Sequence, residues 1–305
     1  MMRRLLVLLS LLVLAAVQPA HSAPLKLGVL PAADTIVLHV AADEGLFAKQ
    51  GLEVELVPFQ SALELGAAMR AGALSGHFGD IINVLMQNES GSPQAIVATT
   101  SHSSPDNRCF GLVVSPKSKA QTLADLKGKD IAVSSATIID FLLAQLLLQE
   151  GAAPDFLNRQ DIRQIPLSGQ IESALLPEPL VSLVEAKGAR TILNDCKLNT
   201  PLAVIALKRD VLDAPDGAQT VAKFREALRE AAKRINETPD AYRPIMEAKG
   251  LLPKGASANY TMVRFDMTHT PTGLPSEADI KTFADWMKAN RILKKDPAYG
   301  DVVFQ

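Results

Sequence analysis

The chain has 305 residues and a formal net charge of −2; 48% of its residues are hydrophobic and 5% aromatic. So mild a charge argues against nucleic acid or a membrane surface as partner. The length exceeds what one hydrophobic core usually serves, so two lobes with an Ala-, Leu- and Val-packed α/β interior are expected.

Met1–Ala23 reads as a secretory signal. Arg3 and Arg4 form a short basic start, Leu5–Val17 is an apolar core broken only by Ser10, and cleavage is expected after Ala23. The core is shorter than the ~20 apolar residues that a spanning helix needs, so a removed leader is the reading rather than an anchor. With no Cys near the cleavage point, no lipid anchor is expected. The mature chain is then expected to be soluble in a bacterial periplasm.

From Lys26 to Asp80 the pattern is βαβαβα. Leu27–Leu30 and Val54–Val57 are short apolar runs, and a third short run ends at Gly79–Asp80. The first helix pattern carries Ile36, Val37, Val40, Ala41 and Phe47 on one face and stops at Gly51; the second covers Ala62–Arg70 and stops at Gly72. This alternation argues for parallel strands covered by helices, and such sheets gather ligands beyond the carboxyl ends of their strands. Three polar loops fall at those ends: Ala33–Asp34–Thr35, Gln60–Ser61 and Gly79–Asp80. Each also opens a helix, so unpaired N–H groups are expected to converge there.

Beyond Asp80 the reading gives a helix at Ile81–Gln87, a strand at Ile96–Thr100 and another at Phe110–Val114. Leu123–Gly128 is a short helix and turn, and Lys129–Val133 a strand. Ser134–Thr137 then opens the apolar helix Ile138–Gln149, which is expected to be sandwiched between layers because its apolar residues run nearly all round. Strands follow at Asp161–Ile165, Ile171–Leu176 and Arg190–Leu193, and an apolar run at Ala203–Leu207. Pro166 and Gly169 leave no room for a helix between the first two of these, so Gly169 is expected in a turn. The remainder is helical over Ala218–Glu237, Tyr242–Lys249 and Glu277–Asn290, the last behind a Ser276 cap. Phe110–Val114 and Ala203–Leu207 read as strands that cross between lobes.

The run LGVLPAADTIVLHVAADEGLFAKQGLEVELVPFQSALELGAAMRAG resembles the nitrate/taurine/sulfonate-type substrate-binding proteins of ABC importers, and the thiamine-precursor binding proteins look similar. The resemblance is carried by the opening strand and loop, by Glu44–Gly45–Leu46–Phe47 followed by Gly51–Leu52, and by the polar loop at Gln60–Ser61. The third strand departs from it, with Ser75–Gly76 where the family usually begins with Asp. Leu123–Val133 with its Ser/Thr loop, and Glu172–Pro179, are also similar to this family. The resemblance implies a type II periplasmic binding fold. Its two discontinuous lobes would hold mainly parallel sheets and be joined by a two-strand hinge: lobe one at 24–112 and 204–305, lobe two at 113–203. It implies a monomer that carries a small solute to a membrane permease, with no cofactor and no catalysis; the solute would be a sulfonate or taurine, a nitrate-like anion or a thiamine pyrimidine precursor. An enzyme of the same fold, of thiamine or menaquinone type, and a ligand-sensing module are the alternatives.

The candidate ligand set is Asp34, Thr35, Gln60, Ser61, Gly79, Asp80, Thr99 and Thr100 from lobe one, with Ser134, Ser135, Thr137 and Glu178 from lobe two. Taken singly, Ser61, Asp80 and Thr137 are ordinary helix caps; taken together at consecutive strand ends, the set reads as a cleft. Asp34, Asp80 and Glu178 oppose an anion, and no Lys or Arg sits in these loops, so an amine or zwitterion is at least as compatible. Phe59 and Phe141 are candidate ring contacts, with core packing the commoner use. His39, His77, His102 and His269 show no paired metal-ligand spacing, so no metal is expected. Cys109 and Cys196 read as a disulfide in an oxidising compartment, against two unpaired thiols or a reactive site.

Overall fold

The computed structural model describes residues 24–161, 171–256 and 258–305. The expected signal segment and the turn at Pro166–Gly169 lie outside the described residues.

Among the described residues there are two five-stranded sheets with the same strand order. The first sheet contains β1 (Leu25–Val29), β2 (Val54–Pro58), β3 (Gly76–Gly79), β4 (Gln94–His102) and β10 (Pro201–Lys208), in the order β2-β1-β3-β10-β4. β1 pairs in parallel with β2 and β3, whereas β10 runs antiparallel to both β3 and β4. The second sheet contains β5 (Phe110–Val114), β6 (Asp130–Val133), β7 (Asn158–Asp161), β8 (Ser173–Pro177) and β9 (Arg190–Asn194), in the order β7-β6-β8-β5-β9. There β6 is parallel to β7 and β8, and β5 is antiparallel to β8 and β9. In each sheet the single antiparallel strand is the one that has just arrived from the other sheet.

That arrangement corrects the expected boundaries. β5 and β10 do not cross between lobes; each lies wholly in one sheet, and the chain passes over in the segments 103–109 and 195–200 that precede them. The changeovers therefore fall ahead of the 112/113 and 203/204 divisions read from the sequence, because strand hydrophobicity marks burial in a sheet and not passage between sheets. Two smaller differences concern the second sheet. β7 starts at Asn158 rather than Asp161, and the short helix before β6 is a 3₁₀ turn at Leu123–Leu126.

Helices join the strands as the sequence predicts: α1 (Ile36–Asp43), α2 (Leu46–Lys49), α3 (Ala62–Arg70) and α4 (Ile81–Glu89) around the first sheet, then α5 (Ile138–Gln149) and α6 (Leu180–Glu185) around the second. The tail adds α7 (Arg209–Leu212), α8 (Gly217–Glu237), α9 (Arg243–Ala248), α10 (Glu277–Ala289) and α11 (Tyr299–Val302). Their starts are set by side-chain caps: Ser61 accepts from Glu64 N (3.3 Å), Asp80 from Asn83 N (2.7 Å), Thr137 from Ile139 N (3.2 Å) and Ser276 from Asp279 N (3.1 Å). Gly76 is where β3 comes closest to β10. A Cβ there would lie 2.3 Å from the Ala206 carbonyl oxygen, so this strand starts with glycine for want of space.

Two large apolar clusters fill the molecule. One lies between the first sheet and α1, α2 and α8, where Phe47 stacks on Phe224 with centroids 5.2 Å apart. The other runs from α4 and the opposite face of β10 through α10 to α5 and the second sheet. Its centre is Phe141, fully buried, stacked at 4.0 Å on Phe283 and meeting Trp286 edge-on at 5.6 Å. The all-round apolar character of α5 thus serves a helix packed on two sides. Phe141 is core and not a ligand contact. Phe59 packs beside the small cluster of Leu65, Met69 and Leu74.

Candidate functional site

All parallel strands of one sheet end on the same side, and in this molecule the two such edges face each other. Between them lies a cavity of about 250 Å³, walled by the loops after β1, β3, β6 and β8, by the end of the first changeover segment and by the start of β10. Its surface is mostly apolar, with Phe78, Phe110, Leu202, Tyr260 and Val263 among the lining residues.

Two carboxyls from the first sheet reach this cavity. Asp34 sits in the 3₁₀ turn Ala33–Thr35 between β1 and α1 and is 9% exposed. Its Oδ2 accepts a 2.7 Å hydrogen bond from Thr100 Oγ1 on β4. Burial pushes its pKa from 3.8 up to about 6, against the downward pull of the Thr100 hydroxyl. Asp80 caps α4 through Oδ1 and, through Oδ2, accepts the Ile138 N–H at 3.3 Å from the start of α5. One carboxylate therefore ties together the N-termini of two helices, one from each side of the cavity. Burial raises its pKa, and the backbone N–H groups of Asn83 and Ile138 offset part of that rise.

On the far side, Thr137 caps α5 and donates to the Ser134 carbonyl at 2.7 Å, which closes the Ser/Thr loop on itself. Ala136 N donates to Asp140 Oδ2 at 3.3 Å. Glu178 meets Arg108, whose Nε donates to Glu178 Oε1 at 2.8 Å. The same guanidinium donates twice to Glu185, at 2.9 and 2.8 Å. The hydrogen bonds from Arg108 hold the Glu185 carboxyl below the usual range. The other oxygen of Glu178 accepts the Ser182 N–H at 3.1 Å, so Glu178 fixes both Arg108 and the start of α6.

The two changeover segments are themselves clamped. Asp195 Oδ1 accepts the N–H groups of Cys109 (3.0 Å) and Phe110 (2.8 Å), which binds the start of the second segment to the end of the first. Asp195 is fully buried and its Oδ2 has no hydrogen-bond partner; burial pushes its pKa from 3.8 up to about 6.

Of the twelve expected ligand residues, Asp34, Gly79, Asp80, Ser134, Thr137 and Glu178 lie on the cavity wall. Thr100 stands behind Asp34 and holds its carboxyl. Thr35 is turned inward, donating to the Ala32 carbonyl at 2.6 Å. Thr99 is buried with its hydroxyl unpartnered, and its N–H donates to Gly273 O. Gln60 and Ser61 lie at the start of α3 away from the cavity, with Ala62 reaching the wall in their place, and Ser135 is also off the wall. In β4 it is Ser101, not its two predecessors, that faces the cavity. The pairing of β4 with β10 shifts register between Ser101 and Thr99, so simple alternation along β4 does not tell which of its residues points inward. Arg108, Asn107 and Tyr260 were missed. Arg108 could have been found as the cation just ahead of an apolar strand. Tyr260 comes from a tail segment with no periodic signal.

The expected disulfide is not formed: Cys109 and Cys196 are free. The Cys109 sulfur is turned toward Ser101 Oγ (3.5 Å) and the Asn107 side chain (3.7 Å), inside the cavity wall. Burial pushes its thiol well up, and the neighbouring Asp195 adds to the shift. Among the described residues no group of three His, Cys, Asp or Glu side chains could hold a metal ion, and no helix is long and apolar enough to cross a membrane.

A sequence profile of the NMT1/THI5-like family matches residues 32–242, more than half of the chain. The chain belongs to the NMT1/THI5-like family. No curated protein matches it. Among solved structures this NMT1/THI5-like protein is similar to the alkanesulfonate-binding protein SsuA from Xanthomonas axonopodis pv. citri bound to MOPS. The TM-score is 0.74 at 20% identity, covering 93% of this chain and 98% of that one. The periplasmic aliphatic sulphonate binding protein SsuA from Escherichia coli gives 0.75 at 17%, covering 93% and 92%. The periplasmic nitrate-binding protein NrtA from Synechocystis PCC 6803 gives 0.58 at 17%, covering 74% and 65%. The desulfurization enzyme DSZB gives 0.61 at 14%. At these identities the likenesses establish the fold, that of periplasmic binding proteins.

Proposed function

We propose that this NMT1/THI5-like protein is the periplasmic solute-binding component of an ABC importer, a monomer without catalysis of its own. The observation that carries the reading is the cavity walled from both sheets, with the Asp80 carboxylate bridging the helix starts of α4 and α5 across it. The segments 103–109 and 195–200 would act as the hinge. A solute that touches both sides favours the closed arrangement by its extra contacts, and a permease can then recognise that arrangement. The family resemblance leaves sulfonates, nitrate-like anions and thiamine pyrimidine precursors as candidate solutes.

The cavity chemistry favours binding over catalysis. Cys109 is the one thiol among the described lining residues, and its environment holds the proton on: the site is buried, Asp195 and Asp34 add negative charge, and no histidine lines the wall to act as base. The test is gentle purification followed by mass spectrometry of retained small molecules, with calorimetry of whatever is recovered. One molecule bound per chain and released unchanged is the expected result. A recovered molecule that the protein converts to a product would replace this reading with the enzyme one.

A further inference from the structure

His102 and His269 are far apart in the chain, and neither has a second histidine at metal-ligand spacing. The fold nevertheless stacks their rings, with centroids 4.8 Å apart and planes 23° from parallel. His102 closes β4, where the chain enters the first changeover segment, and His269 comes from the tail between α9 and α10. His102 Nδ1 faces the Ser103 carbonyl oxygen at 2.8 Å, and His269 Nδ1 faces Asp266 Oδ2 at 2.7 Å. A carbonyl oxygen and an ionised carboxylate only accept, so each neutral ring carries its proton on Nδ1. Each Nε2 is then a bare lone pair, and among the described residues neither has a hydrogen-bond partner.

The pair stands beside a pocket of about 180 Å³ that is separate from the cavity between the sheets, although Ser101, Asn107 and Val263 wall both. His102, Ser104, Asp106, Asp266 and Thr270 give this pocket polar walls. Arg264 is the one Lys or Arg among its described lining residues, against the two carboxylates of Asp106 and Asp266. Asp266 is itself fixed, since its Oδ1 accepts the Thr268 N–H at 2.9 Å. Metal-bound histidines have this arrangement: an acceptor behind Nδ1–H sets the tautomer, holds the ring and makes the other nitrogen a stronger ligand.

We propose that His102 and His269 form a two-imidazole site for a divalent transition-metal ion of the zinc, nickel or copper type, the class that imidazole nitrogen suits. Bonds of about 2.0–2.1 Å let one ion join two nitrogens about 3–4 Å apart, so the stacked rings need only draw together slightly at Nε2. Two protein nitrogens leave the remaining positions to water, in keeping with the lack of a three-residue ligand set among the described residues. Asp106 and Asp266 balance the charge of the ion from the pocket wall. Bound there, the ion ties the tail to the point where the chain leaves β4, without entering the cavity.

The test uses the full mature protein without an affinity tag. It is titrated with zinc chloride by calorimetry and, separately, loaded with equimolar copper(II) for electron paramagnetic resonance. The proposal expects one zinc ion per chain and a copper spectrum split by two imidazole nitrogens. His102→Gln and His269→Gln should each lower zinc affinity about tenfold or more, and Asp266→Asn, which removes the carboxylate behind His269, should weaken it in the same sense. His39→Gln, on α1 and facing Asp43 and Lys249 instead, should change neither measurement. Zinc binding that His102→Gln and His269→Gln leave unchanged overturns the proposal, as does no zinc binding at all. A wild-type copper spectrum with fewer than two nitrogens does so too, and that measurement decides the matter even where a variant fails to fold.

Discussion

Replacing Asp34 by Asn separates the stability of the empty protein from its affinity for ligand. Asp34 is 9% exposed, and burial raises its pKa from 3.8 to about 6. The native state therefore holds this proton more tightly than the unfolded chain. Between pH 3.8 and about 6 folding takes up a proton, so stability falls as pH rises through that window. Above it the wild type carries the whole cost of an ionised buried carboxylate, roughly 3 kcal/mol at about 1.4 kcal/mol per pH unit. Asn has nearly the same shape, still offers an oxygen to Thr100 Oγ1, and carries no charge to desolvate. Urea unfolding of the ligand-free protein should show Asp34→Asn more stable than wild type by up to about 3 kcal/mol near pH 7.5, and the two should converge near pH 4. A variant of equal stability at both pH values would mean that Asp34 is not desolvated. A less stable variant at pH 7.5 would mean that a cation of the protein already compensates it.

Three further outcomes are expected. Phe141→Ala should cost about 3–5 kcal/mol in denaturant unfolding, because the ring is fully buried between Phe283 and Trp286; a loss under about 1 kcal/mol would show that the two layers are not wedged together there. Asp195→Ala leaves the Cys109 and Phe110 N–H groups without their acceptor and should speed hydrogen exchange at those two amides, at a stability cost of about 1–3 kcal/mol, while exchange in α8 stays slow. Iodoacetamide at neutral pH should alkylate Cys196 before Cys109, and a bound ligand should protect Cys109 further; no alkylation of either residue in the denatured, unreduced protein, with both alkylated after reduction, would instead restore the disulfide.

Much of the fold is legible locally. Period-3.6 patterns, the caps at Ser61, Asp80, Thr137 and Ser276, and apolar runs bounded by glycine and proline mark most elements within a residue or two, since each is decided by neighbours in the chain. The alternation of strand and helix requires parallel strands, and parallel strands require loops on one side, so Asp34, Asp80, Thr137 and Glu178 can be placed near a common cleft before any coordinates exist. The tertiary structure decided what those residues do there. The register of β4 against β10 shifts between Thr99 and Ser101, and it is Ser101, not Thr99, that lines the wall. Cys109 turns toward Ser101 and Asn107 rather than to Cys196, a choice that spacing in the sequence does not contain. Above all, a helix start is a donor site only while nothing else occupies it. Asp80 reaches Ile138 across 58 positions, and Arg108 reaches Glu178 and Glu185 across 70 and 77. These long-range pairings occupy the N–H groups of two helix starts and the guanidinium, which no spacing within the chain shows.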